Sequence, residues 1–186
     1  MLRLTRRIFI GPVPVGGGAP VTVQSMTNTS TADAGATLAQ IRELAAAGCE
    51  IIRVAVPDRE AVAALPAILR DSPLPVIADI HFDYRLALAA IAAGVHGIRV
   101  NPGNLGGPER VAAVAAAARD AGVAVRIGVN AGSLDEARAP GGDRIEAMVA
   151  AALEFCAAFE AAGCTALKVS LKASDVATTV AACRRF

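Results

Sequence analysis

Residues 126–133 read Arg-Ile-Gly-Val-Asn-Ala-Gly-Ser, and this stretch decides the fold class of the chain. Together with the residues before it, the stretch alternates with a period of two, the pattern of a β-strand with two unlike faces. One face carries Val123, Val125, Ile127 and Val129, and the other carries Ala124, Arg126, Gly128 and Asn130. Parallel strands normally have two covered, apolar faces, so a cation here requires a partner that its own strand does not provide.

The same succession of helix end, glycine and strand occurs four times along the chain. Each copy has an Ala-Gly pair, typical of a helix C-terminus, before an apolar strand with a cation in its interior. The four cations are Arg53, Arg99, Arg126 and Lys168. These repeats predict α/β units in which a positive side chain recurs at the same place in successive strands.

Six strands that alternate with helices are predicted, near residues 20–26, 50–56, 75–80, 96–100, 123–130 and 165–171. No Gly-x-Gly-x-x-Gly follows the first strand, which argues against an open dinucleotide-binding sheet. We therefore predict a TIM-type (β/α)8 barrel of which about six βα units are present. Residues 1–19 are predicted to form an N-terminal β-hairpin that plugs one end of the domain.

In a barrel the four cations converge on one axis, where they repel one another and are costly to bury unpaired. Asp79 neutralises only part of this charge, so the pattern predicts a ligand with several negative charges, such as phosphate or diphosphate. The alternative is that each cation pairs with an acid at the sheet ends. Asp79 and His81 share a parity at the end of the third strand, either as a core pair or as part of the site.

Composition excludes several other classes of protein. A net charge of +1 gives no reason to expect nucleic-acid or anionic-membrane binding. The apolar runs are about half the ~20 residues of a membrane span, and Gly11 and Pro12 interrupt any signal-type segment, so we expect a cytoplasmic protein. Four scattered cysteines without a Cys-x-x-Cys pair predict buried free thiols and no metal site.

Six segments, in order along nearly the whole chain, closely resemble 4-hydroxy-3-methylbut-2-enyl diphosphate synthases. They read Val-Gln-Ser-Met-Thr-Asn-Thr (23–29), Arg-Val-Ala-Val-Pro (53–57), Ala-Asp-Ile-His-Phe-Asp-Tyr-Arg (78–85), Arg-Val-Asn-Pro-Gly-Asn (99–104), residues 126–133 and Lys-Val-Ser-Leu-Lys-Ala-Ser-Asp (168–175).

The resemblance implies a TIM-type barrel joined to a C-terminal iron-sulfur domain. It implies reductive opening of 2-C-methyl-D-erythritol 2,4-cyclodiphosphate in non-mevalonate isoprenoid biosynthesis, with electrons from flavodoxin or ferredoxin. The diphosphate-binding positions would be Arg53, Arg99, Arg126, Asn130 and either Lys168, favoured by its place in the repeat, or Lys172, nearer the strand end. We expect Asn101, Asn104, Asn130 and Ser133 to orient the ligand, and Asp79 and His81 to line the pocket.

The chain also departs from the family pattern. The family's 4Fe-4S cluster is held by three cysteines and a glutamate of the C-terminal domain, and none of the four cysteines here matches that motif. We therefore expect residues 1–186 to be a truncated substrate-binding domain that holds no cluster, has no catalytic residue of its own and is inactive alone, while the full-length protein forms a homodimer. The alternatives are another phosphate-handling barrel, such as a pterin-binding synthase, and a non-catalytic fragment.

Overall fold

The computed structural model describes residues 5–101, 105–134 and 143–186. Its elements alternate as the repeats predict. They are β1 (Ile8–Ile10), β2 (Val13–Val15), β3 (Gln24–Met26), α1 (Ala34–Ala46), β4 (Ile51–Val56), α2 (Arg59–Asp71), β5 (Val76–Ile80), α3 (Tyr84–Ala92), β6 (Gly97–Val100), α4 (Pro108–Asp120), β7 (Ala124–Asn130), α5 (Arg144–Ala161), β8 (Leu167–Lys172) and α6 (Val176–Arg185).

Strands β3 to β8 form one parallel sheet in sequence order, with a helix after each strand. The sheet curls into a half-barrel, which confirms the prediction of an incomplete TIM-type barrel. Its two edge strands approach across the open side, where the Lys168 Nζ of β8 donates a hydrogen bond of 3.2 Å to the Gln24 Oε1 of β3. β3, the first strand of this sheet, is shorter than the predicted strand 20–26. Its pairing begins only at the Val23 carbonyl, and Val21 is almost fully exposed.

The helix ends follow from the sequence. Asp33, Asp58, Asp83, Asp143 and Asp175 precede five of the helices, and each carboxylate accepts a backbone N–H of the first turn. The glycine of each Ala-Gly pair adopts a positive φ, between 65° and 95°, in which a side chain would be strained. These glycines end the helices and return the chain to the sheet.

Two apolar clusters hold the half-barrel together. The larger one lies between the sheet and the helices and contains every second residue of β4: Ile52, Val54 and Val56. The smaller one lies on the inner face, where Ile8 and Ile10 of the hairpin pack against Ile51, Ile77 and Ala124. The antiparallel hairpin β1–β2 therefore plugs the amino-terminal end of the barrel interior, as the sequence predicted.

Candidate functional site

Four charged side chains form one row across the inner face of the sheet. In the strand register, Asp79 pairs with Arg99, Arg99 with Arg126, and Arg126 with Lys168. Residues paired in register point to the same side of a sheet, so these four side chains share one face. It is the inner face, because the hairpin packs on Ile77 and Ala124, each two residues before a member of the row. Arg53 faces the same side, because it lies two residues before Ala55, the partner of Asp79.

Asp79 is the anionic centre of this group. Its side chain is only 5% exposed and lies 3.5 Å from Arg53 Nε, 3.2 Å from Arg99 Nη1 and 3.9 Å from His81 Nε2. One carboxylate is thus shared by two guanidinium groups and an imidazole. The alternative, in which each cation pairs with an acid at the sheet ends, describes Arg53 and Arg99 in part, because both pair with Asp79 near the end of β5.

The other two cations have neutral partners. Arg126 Nε donates to the Ser170 Oγ at 3.0 Å, and Lys168 Nζ donates to Gln24. Burial lowers the pKa of Arg126, and the nearby Arg53 and Arg99 lower it further, while Asp79 offsets part of this. Burial, Arg126 and Arg53 likewise lower the pKa of Lys168. The inner face therefore carries positive charge that its own groups compensate only in part.

Gly128 gives one of these cations its space. A Cβ at this position would lie 2.7 Å from the Nε of Arg99, on the neighbouring strand. The guanidinium of Arg99 thus lies over the backbone of β7, beside Arg126. Gly128 leaves a space among the inward side chains of β7, and the Arg99 side chain of the neighbouring strand β6 occupies that space.

The remaining predicted residues lie at the carboxyl ends of the strands. His81 follows β5, the buried Asn101 follows β6, and Asn130 and Lys172 end β7 and β8. Lys168 belongs to the charged row, whereas Lys172 is exposed at the rim, where it lines a cavity of about 250 Å³ with Asn130 and Arg144. Asn104 and the side chain of Ser133 lie outside the described residues.

The loop after β3 contains several hydroxyl side chains that do not cap the helix that follows it. Asp33, not a threonine, caps α1. The hydroxyls of Thr27 and Thr31 are buried without a hydrogen-bond partner among the described residues. Buried hydroxyls without a hydrogen-bond partner are unusual, and both of these lie in the loop that follows β3.

Four residues that contact the inward cations or line the rim cavity were not predicted as site residues: Gln24, Met26, Ser170 and Arg144. Met26 Sδ accepts a hydrogen bond from Arg53 Nε at 3.2 Å. Ser170 was detectable, because it lies two residues after Lys168 and so shares its face. Gln24 and Met26 share a face in the same way, on the last three residues of the predicted strand 20–26.

The cysteines only partly follow the prediction. All four are free, and Cys49 and Cys164 are buried, but Cys156 is partly exposed and Cys183 is exposed. Cys183 lies near the end of α6, next to Ala182, the buried residue of that helix. Within the described ranges, no group of three or more His, Cys, Asp or Glu side chains is arranged to hold a metal ion. None of the described helices combines the length and apolar character needed to cross a bilayer.

The family model and the curated relatives that match this chain agree with each other. The family model described as the GcpE TIM-barrel domain matches residues 5–186. Proteins named 4-hydroxy-3-methylbut-2-en-1-yl diphosphate synthase (flavodoxin) are 58% identical in Geobacter sulfurreducens, over 97% of this chain and 52% of that protein, and 55% identical in Maridesulfovibrio salexigens, over 96% and 50%. The chain thus spans about half the length of the curated relatives it matches.

Among solved structures, the Xanthomonas albilineans dihydropteroate synthase superposes with a TM-score of 0.66 at 18% identity, covering 94% of this chain and 70% of that one. The Yersinia pestis dihydropteroate synthase gives 0.61 at 16%, covering 89% and 61%. At this identity the likeness shows a shared barrel fold alone.

Proposed function

This chain belongs to the GcpE TIM-barrel domain family, and from that premise we propose that it is the substrate-binding part of a 4-hydroxy-3-methylbut-2-enyl diphosphate synthase. Its ligand would be 2-C-methyl-D-erythritol 2,4-cyclodiphosphate. The observation that carries the proposal is the inward row of Arg99, Arg126 and Lys168, joined by Arg53, around a single carboxylate. A diphosphate supplies the negative charge that this arrangement requires.

The same cations suit the ring-opening step. When the carbon–oxygen bond of a cyclic diphosphate is cleaved, the released phosphate oxygen gains negative charge. Positive groups fixed in a partly buried site stabilise that charge as it develops. Arg126 and Lys168 have neutral hydrogen-bond partners, so they are suited to meet it. Asp79 would hold Arg53 and Arg99 in place, while Asn101, Asn130 and His81 lie at the carboxyl ends of the strands, where barrel enzymes bind their substrates.

The resemblance implies that a 4Fe-4S cluster supplies the electrons for this reduction. The described residues of this chain do not fit such a cluster, because its four cysteines lie on separate elements and no group of metal-binding side chains occurs among them. The roles proposed here are therefore binding and charge stabilisation. A cluster-bearing region, flavodoxin or ferredoxin as electron donor, a homodimeric full-length enzyme and a cytoplasmic location remain predictions.

Isothermal titration calorimetry with the cyclodiphosphate tests this function. We expect the chain to bind it, and Arg126→Met to weaken binding by about tenfold or more, since a partly buried charge–phosphate contact is lost. Arg70→Met is the matched control, because Arg70 is exposed and pairs with its neighbour Asp71. No binding by the parent chain, or equal losses in the two variants, would contradict the proposal.

A second titration separates this function from that of a pterin-binding synthase. The two classes share the barrel, and both ligands carry a diphosphate. We expect 6-hydroxymethylpterin diphosphate to bind more weakly than the cyclodiphosphate. Tighter binding of the pterin would reassign the site.

A further inference from the structure

The hydrogen-bond partners of Arg126 and Lys168 differ from those of the other two cations. Arg53 and Arg99 lie beside Asp79, whereas Arg126 donates to a hydroxyl and Lys168 to a side-chain amide. Among the described residues, no carboxylate forms an ion pair with Arg126 or Lys168. Glu160 lines the same cavity as Lys168, of about 800 Å³, but the two are not paired.

Neutral acceptors have a specific physical effect on a cation. A carboxylate would orient the side chain and also cancel much of its charge, so an incoming anion would have to compete with it. A hydroxyl or amide oxygen accepts one N–H and fixes the direction of the side chain, while the positive charge remains available. The cost is that partly buried cations remain incompletely compensated, which fits the lowered pKa values of both groups.

We propose that Gln24 and Ser170 are positioning residues that orient Lys168 and Arg126 for an anion without neutralising them. This role rests on the proposed function, because it assumes that the site binds a phosphorylated ligand. The geometry that supports it is direct. Ser170 lies on the inner face two residues after Lys168 and pairs in register with Gly128, and Gln24 reaches Lys168 from the opposite edge of the sheet.

A purely structural role makes a different prediction. If Gln24 only joins the two edges of the half-barrel, glutamate should serve as well, because it has the same shape and accepts the same hydrogen bond. If the neutrality of Gln24 matters, Gln24→Glu should retain the fold but bind anions poorly. Ser170→Asp adds the same charge beside Arg126, whereas Ser170→Thr retains the hydroxyl.

Calorimetry of the full chain with inorganic pyrophosphate tests this difference. We expect Gln24→Glu and Ser170→Asp each to weaken binding by about tenfold or more, the effect of one partly screened charge near the ligand, while Ser170→Thr stays within about threefold of the parent. Ala113→Glu, on the exposed face of α4, is the control for net charge and should bind like the parent. If Gln24→Glu binds pyrophosphate as tightly as Ala113→Glu, the inference is wrong.

A measurement without ligand keeps this test separate from that of the proposed function. NMR titration of the Lys168 Nζ should give a higher pKa in Gln24→Glu than in the parent, because a carboxylate replaces the amide that now faces it. If the parent binds neither pyrophosphate nor the cyclodiphosphate, the proposed function fails, but this titration still decides whether Gln24 controls the charge of Lys168. An unchanged pKa of Lys168 would overturn the inference.

Discussion

The guanidinium of Arg99 lies in the space that a side chain at residue 128 would occupy. A Cβ on Gly128 would come within 2.7 Å of Arg99 Nε and 3.1 Å of its Nη2. Glycine at this position is therefore required by Arg99 on the neighbouring strand β6, and not by the backbone conformation of β7. It allows Arg99 to lie between Asp79 and Arg126 on the inner face.

The first prediction concerns this contact. Gly128→Ala should displace Arg99 from its position beside Asp79, weaken pyrophosphate binding by about tenfold, and lower the free energy of unfolding by about 1–3 kcal/mol, as overpacking does. Calorimetry and urea denaturation measure the two effects. Gly35→Ala is the control, since a Cβ there makes only an ordinary contact of 3.4 Å with Asp33. Unchanged pyrophosphate affinity in Gly128→Ala would show that Arg99 does not contribute to the site.

The second prediction concerns Asp79. Asp79→Asn keeps the shape of the side chain but removes the charge shared by Arg53 and Arg99, so we expect the free energy of unfolding to fall by about 3 kcal/mol. Pyrophosphate should restore part of the loss, because an anion that binds only the folded state stabilises it. Urea denaturation with and without pyrophosphate tests both effects. The replacement Asp71→Asn, at an exposed ion pair, serves as the control, and equal stability of the two variants would contradict the central role of Asp79.

The third prediction concerns pH and the other end of the barrel. The Val76 N–H donates to the Nδ1 of His96 at 3.1 Å, and burial lowers the pKa of His96 below its ordinary value of 6.5. Protonation would remove the acceptor for this hydrogen bond. The surrounding groove is lined by Phe9, Gly11, Ile91, Gly94, Val95, Ala121, Gly122 and Val123, none of which is titratable.

The direction of the pH effect follows from this lowered pKa. As pH falls below 6.5, the unfolded chain takes up a proton at His96 before the folded chain does, so the protein loses stability until the folded state is protonated too. Urea denaturation between pH 7.5 and 5 should show this loss in the parent and less of it in His96→Asn, whose amide oxygen can accept the same N–H. A parent and a His96→Asn variant with the same pH dependence would contradict the assignment.

The fourth prediction concerns the thiols. Cys183 is exposed, whereas Cys49 and Cys164 are buried, and burial raises the pKa of Cys156 and of Cys164. Ellman's reagent should therefore react quickly with one thiol per folded chain and with all four after unfolding, since thiolates are the reactive form. Cys183→Ser should abolish the fast phase. A fast phase that persists in this variant would assign the reactive thiol to another element.

Much of this architecture is encoded locally and was therefore predictable. An Ala-Gly pair ends a helix because only glycine adopts the left-handed backbone without strain, and an alternating run of residues is a strand because its side chains point to opposite sides. The position of Arg99 five residues after Gly94, and of Lys168 five after Gly163, thus predicted one inner face with several cations. The apolar hairpin that plugs the barrel was also visible in the sequence.

The partners of these cations were decided only by the tertiary structure. Parity tells which face a residue occupies, but the register between strands depends on how the intervening helices pack against the sheet. That register places Arg99 over Gly128 and beside Asp79, and the curl of the sheet brings Gln24 within reach of Lys168, 144 residues later. The sequence determined which charges face inward, and the packing of helices on a curled sheet determined which of them lie beside a carboxylate and which have neutral hydrogen-bond partners.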